Sequence, residues 1–425
     1  MERNSLVYQT YVEILKRELV CAMGCTEPIA VAYCAAKARA TLGAEPDRIE
    51  VCASGNIIKN VKSVVVPNTN GGRGIAVAAA IGVLGGDENA ELEVISRIPE
   101  AAKARLADYL AATPIEVSSV ESACILDIIV TVHAGENSAS VRIANEHANI
   151  VHIERNGEVL LDKDPADSLK VASDEPDYSL LTVHDICDFA ATCDLDDVRP
   201  ILRRQIEMNT AISDEGLKND YGANIGKVLL TTGDSVRIRA KARAAAGSDA
   251  RMNGCELPVV ICSGSGNQGI TASMPVAEYA AALGKSEDEL LRALLISNLV
   301  TLHEKTGIGR LSAYCGAVSA GAGAGAGIAW LYGGGEDAVS HTIVNALAIT
   351  SGIVCDGAKS SCAAKIAIAA EAGIFGYEMY VNGQQFRGGD GLVVKGVENS
   401  IASFSRLARV GMSETDREII RMMTE

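Results

Sequence analysis

The stretch GAVSAGAGAGAGIAWLYGGG, residues 316–335, carries no charge over twenty residues and is mostly Gly and Ala. Few structures can use such a segment. Each glycine costs up to about 1 kcal/mol relative to alanine in a helix, so the stretch is helical only where packing forces it. A membrane span is richer in Leu, Ile, Val and Phe. The composition therefore predicts a buried helix against a close neighbour, whose small residues let another backbone or a bulky cofactor approach.

The rest of the composition agrees. The chain has 425 residues, enough for two or three domains. It is 48% apolar but only 4% aromatic, with 41 glycines, which favours closely packed helices. Acidic residues outnumber basic ones 54 to 38, and no Lys/Arg cluster interrupts that balance. A nucleic-acid or anionic-membrane surface is thereby disfavoured. The opening MERNSLVYQTYVEILKRELV is charged and amphipathic and does not read as a signal peptide, so a cytoplasmic protein is expected. In that compartment the twelve cysteines are expected to be reduced thiols, most of them inert core residues.

Periodicity predicts an α+β fold. Two helices, 6–22 and 27–42, flank a turn at Gly24–Thr26. Strands are expected at 48–53 and 61–66, helices at 74–84 and 101–112, and antiparallel strands at 123–133, 138–144 and 150–154. Arg155-Asn156-Gly157-Glu158 supplies a hairpin turn before 159–162. The Asp-rich stretch 162–179 reads as a linker. Beyond it, helices are predicted at 183–192, 196–213, 222–231, 273–283, 287–304, 310–330, 336–351, 360–372 and 394–410, with a small hairpin at 379–386. The expected organisation is N-terminal helices over 1–45, packed on the catalytic domain. An α/β domain with a mixed or antiparallel sheet follows over 46–170, and a mainly helical domain over 171–425.

In ICSGSGNQGI, residues 261–270, Gly264, Gly266 and Gly269 spell G-x-G-x-x-G, the letters of a dinucleotide turn. A dinucleotide site needs a second parallel strand after the helix. Only helices are predicted downstream, so no NAD is expected. The turn offers clustered N–H donors at a helix N-terminus, where anions bind.

Three late cysteines, Cys315, Cys355 and Cys362, are spaced C-x39-C-x6-C. That is not the paired spacing of a zinc ribbon. Three thiolates and an open position suit a [4Fe–4S] cluster with one Lewis-acidic iron free for substrate; three structural thiols remain the alternative. Cys25, in AMGCTEPIA, precedes a helix that opens at Glu27-Pro28. The dipole there favours a thiolate suited to act as base or nucleophile, although a turn cysteine without a role fits as well.

Taken together, G-C-T-E-P, S-G-N-Q-G, C-G-A-V and C-D-G-A-K-S-S-C resemble the L-cysteine desulfidase family, which belongs with the iron–sulfur L-serine dehydratases. The resemblance spans nearly the whole chain with its motifs in order. It implies a helical, serine-dehydratase-alpha-like cluster domain beside a smaller α+β part. It also implies a [4Fe–4S] enzyme in which Cys315, Cys355 and Cys362 hold the cluster and Cys25 is the base. Some serine dehydratases end in a cysteine that caps the cluster, whereas this chain ends RMMTE. The open iron is then expected to meet solvent or substrate.

The implied reaction is β-elimination from a small amino acid, with L-cysteine giving pyruvate, ammonia and sulfide, or L-serine reacting likewise. Substrate carboxylate binding is expected at Ser265, Gly266, Asn267, Gln268 and Gly269, at the second S-G-N trio Ser54, Gly55 and Asn56, and at Lys359. His303 and Glu304 are candidates for a further acid/base pair or for helix support. Two other classes compete. One is a pyridoxal-phosphate β-eliminating lyase using Lys227 or Lys241, for which Gly333-Gly334-Gly335 is a poor phosphate loop. The other is a non-catalytic iron or metabolite sensor. A homo-oligomer is compatible with each reading.

Overall fold

The structure, a computed structural model, describes residues 1–165, 175–309 and 311–424. The N-terminal part runs α1 (Leu6–Glu18), β1 (Cys21–Met23), α2 (Thr26–Leu42), β2 (Arg48–Ala53), α3 (Gly55–Val61), α4 (Ile75–Gly85) and α5 (Glu100–Ala112). It continues with β3 (Ile115–Ser119), β4 (Asp127–Ala134), β5 (Asn137–Ala144), β6 (Ile150–Arg155) and β7 (Glu158–Asp162). The remainder is helical apart from β8 (Pro258–Val260) and short turns. Its helices are α6 (Val183–Thr192), α7 (Arg199–Lys218), α8 (Ile225–Leu230), α9 (Val236–Met252), α10 (Gly266–Ala282) and α11 (Glu287–Ile308). They are followed by α12 (Gly316–Leu331), α13 (Glu336–Thr350), α14 (Cys362–Val381), α15 (Val397–Arg406) and α16 (Ser413–Thr424). The fold is α+β, as the patterning predicts.

The six-stranded sheet has the order β3-β2-β4-β5-β6-β7 and is antiparallel except for the parallel β2–β3 pair. Period-2 alternation sends Ile49, Val51, Ile128, Val130, Val132, Val141 and Ile143 to one buried face. Helices α2 and α4 cover that face. Because α2 lies between the sheet and α4, it is apolar on nearly all sides. Gly82 permits the close approach, since a Cβ there would come within 3.0 Å of the Ala32 backbone. Helix α1 instead joins the helical core, where Tyr8 and Tyr11 meet Phe189 edge-on at 5.1 and 5.4 Å.

The glycine-rich stretch is α12, enclosed by α10, α11, α13 and α14. Alternating Gly and Ala on a 3.6-residue period draws two glycine stripes on opposite sides of the helix. Gly321 and Gly325 face α14, where a Cβ would fall within 3.0 Å of backbone at Ala369 and Gly373. Gly323 and Gly327 face α11, with the same restriction against Ser297 and Ala293. Among the described residues no helix is long and apolar enough to cross a membrane.

Several local expectations are corrected. The 61–66 run is no strand: α3 ends at Val61 and only Val65 bridges Arg73. Strand β2 is already flanked on both edges, so these valines pack into the core from a loop. The hairpin at 379–386 is absent because α14 continues to Val381. Asn382-Gly383 is its stop, with Gly383 at φ +70 and its N–H bonded to the Tyr380 carbonyl. The helix predicted at 310–330 begins only at Gly316. Helices α3, α9 and α16 and strands β1, β3 and β8 are not predicted by the patterning. Of the predicted linker, 166–174 lie outside the described residues.

Two stability measurements follow. Gly325→Val should cost about 2–3 kcal/mol in urea unfolding, the cost of forcing volume into a filled contact. Gly352→Ala, with open space around it, should stay within about 0.5 kcal/mol of the parent. Asp249, enclosed on α9, accepts the Gly226 N–H at 3.0 Å, and burial lifts its carboxyl to about 6. The folded chain thus holds this proton to higher pH than the unfolded chain. Stability present below about pH 4 is lost as pH rises through about 6, by about 2–3 kcal/mol. Asp249→Asn should remove that component from the pH profile of unfolding.

Candidate functional site

The segments carrying the predicted site residues are joined by backbone pairing. Strand β1 pairs antiparallel with β8 in the register Cys21↔Val260, so the segments leading to Cys25 and to the glycine turn lie side by side. The Thr26 hydroxyl then donates to the Gly264 carbonyl at 3.1 Å and closes the link. Farther along, the Cys315 N–H donates to the Ile353 carbonyl at 3.1 Å, and the Cys355 N–H donates to the Ala313 carbonyl at 2.6 Å. These bonds hold the loop before α12 against the loop after α13. Cys362 opens α14.

The result is a cavity of about 110 Å³ bordered by Cys25, Cys315, Cys355 and Cys362 together. Four helices begin at it. Cys25 is the N-cap of α2, Ser265 of α10 and Cys315 of α12, while Cys362 is the first residue of α14. Their N-terminal partial charges give the cavity a positive bias.

The glycine turn is a two-residue reversal. Ser263 and Gly264 both take positive φ, +50 and +74, and Cys262 and Ser265 exchange both backbone hydrogen bonds at 3.1 Å. Gly266 meets the Arg251 guanidinium, and Gly269 meets the Val260 and Ile261 backbone, each too closely for a Cβ. The three glycines provide a tight turn, a close approach and helix–strand packing. Strand β8 is antiparallel to β1, and α10 leads directly into α11. The parallel unit of a dinucleotide site is therefore not formed here.

Ser265, Asn267 and Gln268 also border the cavity. Ser54, Gly55 and Asn56 do not; they line a separate pocket beside α16. The Ser54 hydroxyl donates to the Ile125 carbonyl at 2.8 Å, and Ile420 occupies the space over Gly55. Asn56 Nδ2 donates to Asp416 at 3.0 Å. Lys359 also lies off the cavity, 3.6 Å from Asp356. Lys227 and Lys241 are engaged elsewhere, with Asp220 and Glu371. His303 is 2.7 Å from Glu398, whose other oxygen accepts the Val183 N–H, so it ties α11 to α15 and α6. Glu304 is fully buried, and burial raises its carboxyl well above the usual range.

Pattern reading missed Arg251, Lys59 and Glu27, which also border the cavity. Lys59 is buried and paired with Asp416 of α16 at 2.6 Å. Glu27 accepts from Asn60 Nδ2 at 3.0 Å. Arg251 lies at the end of α9, a helix whose charges conceal its apolar stripe. Cys25 differs from expectation in protonation. Burial pushes its thiol up to about 12; Arg251 opposes the rise, while Glu27 and Cys362 add to it. Desolvation outweighs the helix dipole, and the thiol donates to Met252 Sδ at 3.7 Å.

The donor set fits a cluster. Burial first, and then the neighbouring Cys355 and Cys362, raise the Cys315 thiol to about 12. Three thiolates here repel one another unless a cationic group lies between them. Among the described residues no three His, Cys, Asp or Glu side chains are placed to hold a single metal ion. Cys315, Cys355 and Cys362 border one cavity, and thiolates are the usual donors to an iron–sulfur cluster.

The serine dehydratase alpha chain family model matches residues 89–421. A UPF0597 protein of Desulfitobacterium hafniense is 58% identical over 424 residues, covering 100% of this chain and 98% of the relative. UPF0597 proteins of Lachnoclostridium phytofermentans and Treponema denticola are 51% and 44% identical; they cover 98% and 100% of this chain and 100% and 99% of their own lengths.

The Lys59–Asp416 pair gives a prediction. Asp416→Ala leaves a buried ammonium without its counter-charge and should lower unfolding stability by about 3–5 kcal/mol. Pairing it with Lys59→Met should recover most of the loss, read by thermal or urea denaturation.

Proposed function

Because this chain belongs to the serine dehydratase alpha-chain family, and within it groups with the UPF0597 proteins, we propose that it is a [4Fe–4S] lyase that eliminates a β-substituent from a small amino acid, with L-cysteine as substrate. The observation that carries the reading is the shared cavity of Cys25, Cys315, Cys355, Cys362 and the turn around Asn267.

Cys315, Cys355 and Cys362 would hold the cluster. When bound, it supplies an electron-poor iron that draws charge from the leaving sulfur or hydroxyl. The chain's own groups do the rest. Backbone N–H donors at the start of α10, beside the cavity, suit the substrate carboxylate, since helix N-termini bind anions. Cys25 borders the same cavity and, once its own thiol proton has passed to solvent with Arg251 favouring the thiolate, is the group to take the Cα proton. Burial of the site excludes water from the carbanion-like state. Elimination expels sulfide and leaves aminoacrylate, which hydrolyses to pyruvate and ammonia.

L-Serine is the second reading, favoured by the family description itself. The two differ only in the leaving group, and a thiolate is the softer iron ligand.

Anaerobic reconstitution followed by iron, sulfide and pyruvate assays tests the reading. Wild type should bind iron and release sulfide from L-cysteine faster than it forms pyruvate from L-serine. Cys315→Ser, Cys355→Ser and Cys362→Ser should each lose cluster absorbance. Cys25→Ser should keep the absorbance and lose turnover by about 10²-fold or more, the scale of a removed general base. Absence of iron in the reconstituted wild type would sink the proposal.

A further inference from the structure

Arg251 is 4% exposed, yet it borders the cavity that holds Cys25 and the three late cysteines. Its guanidinium makes one hydrogen bond among the described residues, from Nη1 to Asn267 Oδ1 at 3.1 Å. Nε is buried without a partner, packed where a Cβ on Gly266 would clash. No acidic side chain pairs with Arg251 among the described residues. The cavity's carboxylate, Glu27, is turned to Asn60 and Thr26, at 3.0 and 3.3 Å. Lys59, by contrast, already has Asp416.

A buried guanidinium without a counter-charge is costly, and an anion relieves it, either a bound carboxylate or the Cys25 thiolate, whose formation Arg251 favours. The planar fork matches a carboxylate in two parallel hydrogen bonds. Asn267 holds one edge of the fork, and Nη2 is left without a partner. The N-terminus of α10 adds backbone donors beside it.

We propose that Arg251 fixes the α-carboxylate of the substrate and restricts the site to small amino acids whose carboxylate is free. The substrate named rests on the β-elimination reading; the anion site itself rests on the geometry of Arg251, Gly266 and Asn267. Gly266 is required because any side chain there would displace the guanidinium.

The test compares L-alanine, which lacks a leaving group, with L-alaninamide, which lacks the carboxylate. Binding to the reconstituted full-length chain is followed by calorimetry. Wild type should prefer L-alanine by about tenfold or more, the scale of a hydrogen bond to a charged group. Arg251→Gln should bring that preference to near unity. Arg251→Lys, which keeps the charge and most of the bulk, should retain part of it and serves as the folding control. In turnover, both variants should raise KM more than they lower kcat, as loss of uniform binding does. An undiminished preference in Arg251→Gln, or a wild type indifferent to the carboxylate, overturns the inference. A fall in kcat at unchanged KM also overturns it, and would assign Arg251 to the Cys25 thiolate. Sulfide release with the preference undiminished in Arg251→Gln removes this inference and leaves the elimination reading. Preference for L-alanine that depends on Arg251, without turnover of any β-substituted amino acid, does the reverse.

Discussion

Everything at the centre of this protein depends on how closely backbones can approach α12. Its two glycine stripes remove side chains from opposite sides, so α11 and α14 pack against bare backbone. That packing offsets the entropic cost of glycine in a helix. It also sets the site's geometry, because α12 begins at Cys315 and α14 begins at Cys362. Two helices brought this close along their lengths bring their N-termini, and two of the late cysteines, to the same place.

The cavity gathers four helix N-termini around four thiols, with Lys59, Arg251 and Lys305 in its wall. The arrangement is biased toward negative charge before any ligand arrives. Desolvation works against that bias and pushes the Cys25 and Cys315 thiols up to about 12. The two effects compete at one point, so anionic ligands and thiolates are stabilised there only together with positive charge. Lys59 has its counter-charge from α16, and Arg251 has none.

Much of this was legible in the chain. The hairpin at Asn156-Gly157, the alternating strands around it and the helical second half follow from local chemistry. So does the small-residue helix, because its composition allowed only close packing. Cys25, Cys315, Cys355, Cys362 and the turn at 265–269 were singled out by motif and resemblance. The errors share one cause: a local signal met a neighbour that sequence does not display. The valines of 61–66 have strand propensity, yet β2 has no free edge. Asn382-Gly383 has hairpin chemistry, yet it ends a helix. The trio Ser54-Gly55-Asn56 repeats the letters of the turn at 265–267, yet it lines a different pocket beside α16.

The sequence by itself determined the fold class and the helix that must be buried among close neighbours. These follow from side-chain size, period and capping, which act over a few residues. Only the tertiary structure decided which trio faces the cavity and which cations accompany it. It put Arg251 in the cavity wall and Lys359 outside it, and burial there pushes the Cys25 thiol up where its helix position alone suggested a thiolate. Those outcomes depend on burial and on partners hundreds of residues away, because desolvation and counter-charge are properties of a place in the fold.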